Sequence, residues 1–413
     1  MSLMADLLGT VFERRYKAGT PDPRSLSELS EALLSSSGEV TGGALARALL
    51  DRYERADSAE REAWYAFLTE DLDLDIVELT ARLVEYGETR DAEVYRAFMN
   101  VAEPPRQELI RRLNQVPGAT ARLVGLRADL LSHLQDWPAL GRADADFRHL
   151  FKSWFNRGFL VLRPITWESP AHILEKIIAY EAVHAIGRWS DLRARLEPED
   201  RRCFAFFHPA MPDEPLIFVE VALTKGVPGS IQSLLAEDRE ELTASEADTA
   251  VFYSISNCQA GLAGISFGNS LIKQVVRDLE RDIPQLSRFV TLSPIPGLMN
   301  WLSEAEIDWP DNPEDQRAIA AYYLTTEKAR AGRPRDPVAR FHLGNGALVH
   351  QVHAGADLSE NGVRQSGGVM VNYLYDLARL SDNHEAFVSS GAVAASKDVT
   401  ALARKGVPEP QKN

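Results

Sequence analysis

The sequence predicts an α+β protein: an all-α helical bundle at the N-terminus, then a mixed α/β domain. Three observations predict it. The first third is rich in Ala, Leu, Glu and Arg, with apolar residues at helical spacing. Beyond residue 143, runs rich in Phe, Val and Ile are bounded by Pro and Gly, the signature of strands. The 413 residues, 45% of them hydrophobic, exceed what one ordinary core serves, so residues 1–143 and 144–413 are expected to form separate domains.

In the first domain, Leu45, Leu49, Leu50 and Tyr53 share one helix face. Asp57 followed by Glu60 has the form of a capping box before a helix carrying Trp64, Phe67 and Leu68. Helical patterns continue through Ile76–Glu85, Ala92–Val101, Glu108–Leu113 and Thr120–Leu134, which together read as a bundle. Asp136–Asp146, with Pro138, Gly141 and three acids, reads as a linker. In the second domain Phe159–Pro164 is a short apolar run, and the strand candidates are Cys203–Phe207, Leu216–Leu223, Val251–Cys258, Phe289–Leu292 and Ala347–His353. The break Pro209–Pro215 suggests a hairpin. Helices are expected at Ser270–Leu279, near Leu298–Leu302, at Pro313–Leu324 and at Gly368–Leu380.

A net charge of −15 argues against general binding to nucleic acid or to anionic membranes. An anionic ligand then needs a local cradle of backbone N–H groups or a few placed cations. Two cysteines, Cys203 and Cys258, make no disulfide framework and fit a reducing compartment. The N-terminal stretch lacks the apolar run of a secretory signal. No uncharged apolar stretch reaches the roughly 18 residues of a membrane span. A cytoplasmic protein is the expectation.

Val251–Cys258, the loop Gln259–Gly268 and the helix after it form a strand, glycine loop and helix. Glycines allow close backbone approach, and the first N–H groups of a helix favour an anion, so pyrophosphate fits here. Gly261, Gly264 and Gly268 match neither a P-loop nor the dinucleotide spacing. A glycine-rich turn with packing reasons only is the competing reading. The loop resembles the Q/R-x-x-G-x-G/A loop of the GNAT acetyltransferase superfamily, which grips coenzyme A.

Further stretches carry a sharper resemblance. They are Leu150–Leu160, Ile165–Pro170, Glu181-Ala-Val-His184, Glu214-Pro-Leu, Val221–Thr224 and Phe252–Ser256. Leu292-Ser293-Pro-Ile-Pro-Gly297, Phe341-His342-Leu-Gly-Asn-Gly346 and Asn372-Tyr-Leu-Tyr375 complete the set. In this order they resemble the malonyl-CoA decarboxylase family. The resemblance implies a helical N-terminal domain used in oligomer contacts, hence a homo-oligomer, and a GNAT-like catalytic domain. It implies malonyl-CoA as substrate and no metal or organic cofactor. It implies Ser293 and His342 as catalytic residues. The coenzyme A loop then falls on Ala263, Gly264, Ile265, Ser266, Phe267, Gly268 and Asn269, and Ser254 and Tyr375 line the acyl pocket.

The chemistry suits those residue types. Decarboxylation leaves an enolate, which needs donors where charge develops and an acid to protonate the alpha carbon. Ser293 precedes a proline, which biases its backbone to extended geometry and fixes its hydroxyl. His342, with an ordinary pKa near 6.5, is the expected proton donor. Taken alone, Ser293 reads first as a structural serine before a proline turn and His342 as a core histidine satisfied by a backbone carbonyl. Lys225, Lys273 and Arg277 are candidates for phosphate contacts, or a solvated face. His350, His353 and Asp357 form no convincing metal set. An acyl-CoA N-acyltransferase and a non-catalytic acyl-CoA sensor are the competing functions.

Overall fold

The structure, a computed structural model, describes residues 22–265, 271–329 and 332–406. The chain divides into two compact units. Residues 1–155 with 259–266 make the first, and residues 156–258 with 267–413 the second.

The first unit is helical: α1 Leu26–Ser35, α2 Glu39–Arg55, α3 Ser58–Glu70, α4 Ile76–Thr89, α5 Ala92–Val101, α6 Pro105–Leu113, α7 Ala119–His133 and α8 Gly141–Trp154. Side-chain caps start several of them. Ser25 and Glu28 complete a capping box on α1. Asp57 accepts from the Glu60 N–H at the start of α3, but Glu60 turns its carboxylate to Arg52 instead of closing a box. Leu49, Leu50 and Tyr53 of α2, Trp64 and Leu68 of α3, and Leu109 and Leu113 of α6 are buried.

The expected linker at residues 136–146 is contradicted. Its second half opens α8, a helix that runs across the proposed 143/144 boundary. Two of its three acids are buried partners: Asp144 accepts from Arg127 at 2.7 Å, and Asp146 pairs with Arg106 at 2.5 Å. A charge-rich stretch mimics a linker when its charges are neutralised by residues distant in sequence.

The second unit runs β1 Val161–Ile165, α9 Ala171–Tyr180, α10 Trp189–Leu196, β2 Arg201–His208, β3 Met211–Thr224, α11 Ile231–Leu235, β4 Thr249–Asn257, α12 Leu271–Asp282, β5 Arg288–Thr291 and β6 Ser293–Pro294. It continues with α13 Leu298–Glu304, α14 Pro313–Thr326, α15 Pro337–Gly344, β7 Leu348–His353, α16 Glu360–Ser366, β8 Met370–Leu374, α17 Leu380–Ser390 and α18 Lys397–Lys405. Its strands form one sheet in the order β1-β2-β3-β4-β5-β8-β6, with β7 also on β8. All pairs are antiparallel except β4–β5. α9 and α10 bury Ile173, Leu174, Ile177, Leu192 and Leu196 against Cys203, Ala205, Phe207 and Phe218 of the sheet. Both cysteines are free and buried. No helix among the described residues is long and apolar enough to cross a membrane.

The predicted helix at 368–380 is also contradicted: Met370–Leu374 is β8, and Tyr375 follows it directly. Val369, Met370, Val371 and Tyr373 are all fully buried. A strand buried on both faces loses the alternation that marks strands, so its apolar run reads equally as helix. Gly367 and Gly368, both at positive φ, are the turn that starts it.

Candidate active site

The site begins where two parallel strands part. β4 and β5 pair from Thr249 with Arg288 to Phe252 with Thr291. One further bond joins the Leu292 N–H to the Phe252 carbonyl at 3.0 Å. β4 then continues to Asn257, whereas the other chain turns to β8, where Ser293 pairs with Val371. At the same point β4 carries a bulge opposite Glu220 and Val221 of β3. Bulges increase local twist and re-aim side chains. The separated strands flank a cavity of about 250 Å3, lined by Val183, Phe252, Tyr253, Ile255, Asn257, Ser293, Pro294, Pro337, Val338, Phe341 and His342.

His342 reaches this cavity from the last turn of α15. Pro337 opens that helix at a position where its missing N–H costs nothing. Asp336 caps it, accepting from the Ala339 N–H at 2.8 Å. The other Asp336 oxygen accepts from the Gly297 N–H at 3.3 Å, so one buried carboxyl ties the end of the Ser293 loop to the helix of His342. Burial pushes that carboxyl up to about 6.

Ser293 Oγ and His342 Nε2 lie 3.3 Å apart. The Ser293 hydroxyl donates to Thr291 Oγ1 at 2.9 Å, and His342 Nδ1 meets the Tyr375 hydroxyl at 2.8 Å. The imidazole stacks on the Tyr373 ring, with centroids 4.5 Å apart and planes at 24°. Burial pushes His342 down to about 3. A helix C-terminus favours a cation by only about 0.3–1 kcal/mol, so desolvation wins and the ring is neutral. The expectation of a histidine titrating near 6.5 is overturned. The Tyr375 hydroxyl is pushed well up by the same burial. Among the described residues no Lys or Arg lines the cavity; its polar side chains are Tyr253, Asn257, Ser293 and His342.

The sequence profile of the malonyl-CoA decarboxylase C-terminal domain matches residues 158–316 and 313–412, and that of the N-terminal domain matches residues 73–155. This chain belongs to the malonyl-CoA decarboxylase family. Mitochondrial malonyl-CoA decarboxylase of Anser anser anser is 36% identical over 349 residues, 72% of this chain and 69% of that protein. The Rattus norvegicus protein is 34% identical over 351 residues, 72% and 71% of the two chains. The crystal structure of malonyl-CoA decarboxylase from Rhodopseudomonas palustris matches with a TM-score of 0.86 and 49% identity, covering 92% of this chain and all of that one. As a member of this family the chain is a carboxy-lyase.

The family resemblance draws attention to residues that the fold treats differently. Ser293, His342 and Tyr375 are brought together. Ser254 is not among the residues lining the cavity: its hydroxyl donates to Glu181 Oε2 at 2.7 Å, beneath the sheet surface. Glu181 Oε1 in turn accepts from the Val183 and His184 N–H groups at 2.8 and 2.7 Å. Ser254 thus anchors the turn that places Val183 on the cavity wall. Tyr375 is not among the cavity's lining residues; it meets His342 and packs on the Phe252 ring, centroids 6.3 Å apart, and it lines a separate groove of about 740 Å3.

In the glycine loop, Gly261 has a packing reason. A Cβ there would overlap the Val124 carbonyl, and Arg127 donates to the Gly261 and Ala263 carbonyls at 2.6 and 3.0 Å. Gly264 adopts positive φ, and Ile265 is buried. Ser266, Phe267, Gly268 and Asn269 lie outside the described residues. Lys225 pairs with Glu246, whereas Lys273 is pushed down by burial and by Arg277 and Arg157 nearby. His353 Nε2 meets Asn372 Oδ1 at 2.5 Å.

Sequence reasoning missed Thr291, Glu181, Asp336 and Asn257. The Glu181-Ala-Val-His184 stretch was a signal for one of them. Asp336 before Pro337 has the local form of a helix start, and Thr291 lies two residues before Ser293 on the same chain, but their contacts with Gly297 and Tyr373 join segments distant in the chain.

Proposed function

We propose that the protein converts malonyl-CoA to acetyl-CoA and carbon dioxide, through an enolate protonated at the Ser293–His342 pair. The observation that carries this reading is the convergence of Ser293 and His342 on the wall of one small, largely apolar cavity. The acyl end occupies that cavity. With no cation on the wall among the described residues, the substrate carboxylate finds no compensating charge from them, whereas its electrons can pass to the thioester oxygen as carbon dioxide leaves. Donors aimed at that oxygen stabilise the developing charge. His342 Nε2 and the Asn257 amide are the donors at hand, with Ser293 orienting the imidazole. His342 then gives its Nε2 proton to the alpha carbon, and the imidazolate left behind recovers one from water, so that each turnover consumes a single solvent proton. The loop Ala263–Asn269, continuous in sequence with α12, holds the coenzyme A pyrophosphate. No organic cofactor or metal takes part in this scheme.

The test is incubation with malonyl-CoA alone. Acetyl-CoA and carbon dioxide form without a second substrate; a requirement for an amine acceptor would instead indicate an acyltransferase, and binding without turnover a sensor. His342→Asn raises the barrier by about 3–4 kcal/mol, the usual loss of one placed donor, and Ser293→Ala, which removes the oxygen that orients the imidazole, by a similar amount. Near-normal turnover in either variant removes that residue from the mechanism.

The chain acts as a homo-oligomer in this reading. α4 and α5 bury no residue of their own, and they expose Ile76, Val77, Leu83, Val84, Tyr95 and Met99. Apolar faces of that extent mark interaction surfaces. The two buried thiols suit a reducing compartment such as the cytoplasm.

A further inference from the structure

We infer that Thr291 is a positioning residue that sets the direction of the hydrogen-bond chain through Ser293 and His342; this rests on the roles proposed above for those two residues. Thr291 ends β5 and is fully buried. Its carbonyl accepts from the Asn372 side-chain amide at 2.7 Å, which fixes its backbone. Its hydroxyl oxygen accepts twice, from the Tyr373 N–H at 3.1 Å and from the Ser293 hydroxyl at 2.9 Å. A hydroxyl oxygen has two lone pairs, and both are used.

The consequence passes along the chain of groups. Ser293 has a single proton, and it points at Thr291. Toward His342 Nε2, 3.3 Å away, the Ser293 oxygen therefore acts as acceptor, and Nε2 must carry a hydrogen. A neutral imidazole has one such nitrogen, so Nδ1 is bare and accepts from the Tyr375 hydroxyl at 2.8 Å. The order is then Tyr375 to His342, His342 to Ser293, Ser293 to Thr291. The imidazole N–H faces the side on which Ser293 and His342 line the cavity. That is the hydrogen the enolate carbon takes.

Without the Thr291 hydroxyl, Ser293 turns its proton onto Nε2. The imidazole then settles as the Nδ1–H tautomer, with a bare nitrogen toward the cavity and nothing to give the enolate. Thr291→Val keeps the shape and the β-branch but loses the acceptor, whereas Thr291→Ser keeps the acceptor. Thr291→Val lowers kcat by about 10- to 100-fold, the scale of a misdirected catalytic group, with KM little changed. Thr291→Ser restores kcat to near the parent level.

The decisive readout is histidine ring-nitrogen NMR of the parent enzyme, with the His342 signals identified by their loss in His342→Asn. The expected result is the Nε2–H tautomer in the parent and in Thr291→Ser. An Nδ1–H tautomer in the parent overturns the inference, and this measurement does not depend on any Thr291 variant folding. So does a Thr291→Val enzyme that keeps parent kcat while Ser293→Ala has lost it. If Ser293→Ala itself retains turnover, the roles proposed for Ser293 and His342 fail, and that outcome is distinguishable from failure of the Thr291 inference alone.

Discussion

At the residue scale the proposed chemistry depends on a histidine kept neutral by burial. His342 holds its pKa near 3 in the folded protein, below the ordinary 6.5 of the unfolded chain. Between those values the unfolded chain binds more protons, so this group's contribution to stability is lost as pH falls through that window. Replacing it by Gln removes the linkage. The stability difference between parent and His342→Gln shifts against the parent by about 1.4 kcal/mol per pH unit below about 6, measured by urea unfolding across pH. A constant difference would mean that the imidazole is solvated. Ser293 and His342 lie 49 residues apart, and no spacing rule connects them. They were legible only because the stretches around each resemble one family. Asp336 before Pro337 is a legible helix start, but its bond to Gly297, and that of Thr291 to the Tyr373 N–H, join segments far apart in the chain, which no local pattern announces.

At the element scale, most helices and strands were legible because their periodicity coincides with burial. α2 buries Leu49, Leu50 and Tyr53 of the face that the helical spacing selects, with Leu45 half-buried, α3 buries Trp64, Phe67 and Leu68, and β3 and β4 overlap the predicted runs to within a few residues. Misreadings occurred where burial does not follow the simple pattern. β8 is apolar on both faces, and α8 carries buried acids. Asp144, paired with Arg127 inside the helical unit, is therefore structural. Asp144→Ala leaves the Arg127 charge buried without its carboxylate and lowers stability by about 3–5 kcal/mol. Asp136→Ala, at an exposed position in the same stretch, changes stability by less than about 0.5 kcal/mol. Denaturant midpoints of the two variants check the contrast, and equal effects would restore the linker reading. Gly261→Ala overlaps the Val124 carbonyl. It should lower the melting temperature even where turnover at low temperature survives.

For the whole molecule, the sequence changes texture beyond residue 143, and the chain divides into two units near residue 155. The return of residues 259–266 to the first unit was not legible, because a glycine loop gives no sign of which body it packs on. The proposed oligomer contacts belong to this scale. Val77 is 82% and Val84 56% exposed on one face of α4. Val77→Glu with Val84→Glu places charge on that face and reduces the mass seen by light scattering to that of one chain. An unchanged mass moves the interface elsewhere. The most direct test of the proposed chemistry is a crystal structure with a malonyl-CoA analogue whose sulfur is replaced by methylene. The acyl end should lie in the 250 Å3 cavity, with one of its oxygens within about 3.2 Å of His342 Nε2. An acyl end bound in the groove beside Leu374–Ala378, or anywhere that leaves His342 out of reach, would contradict it.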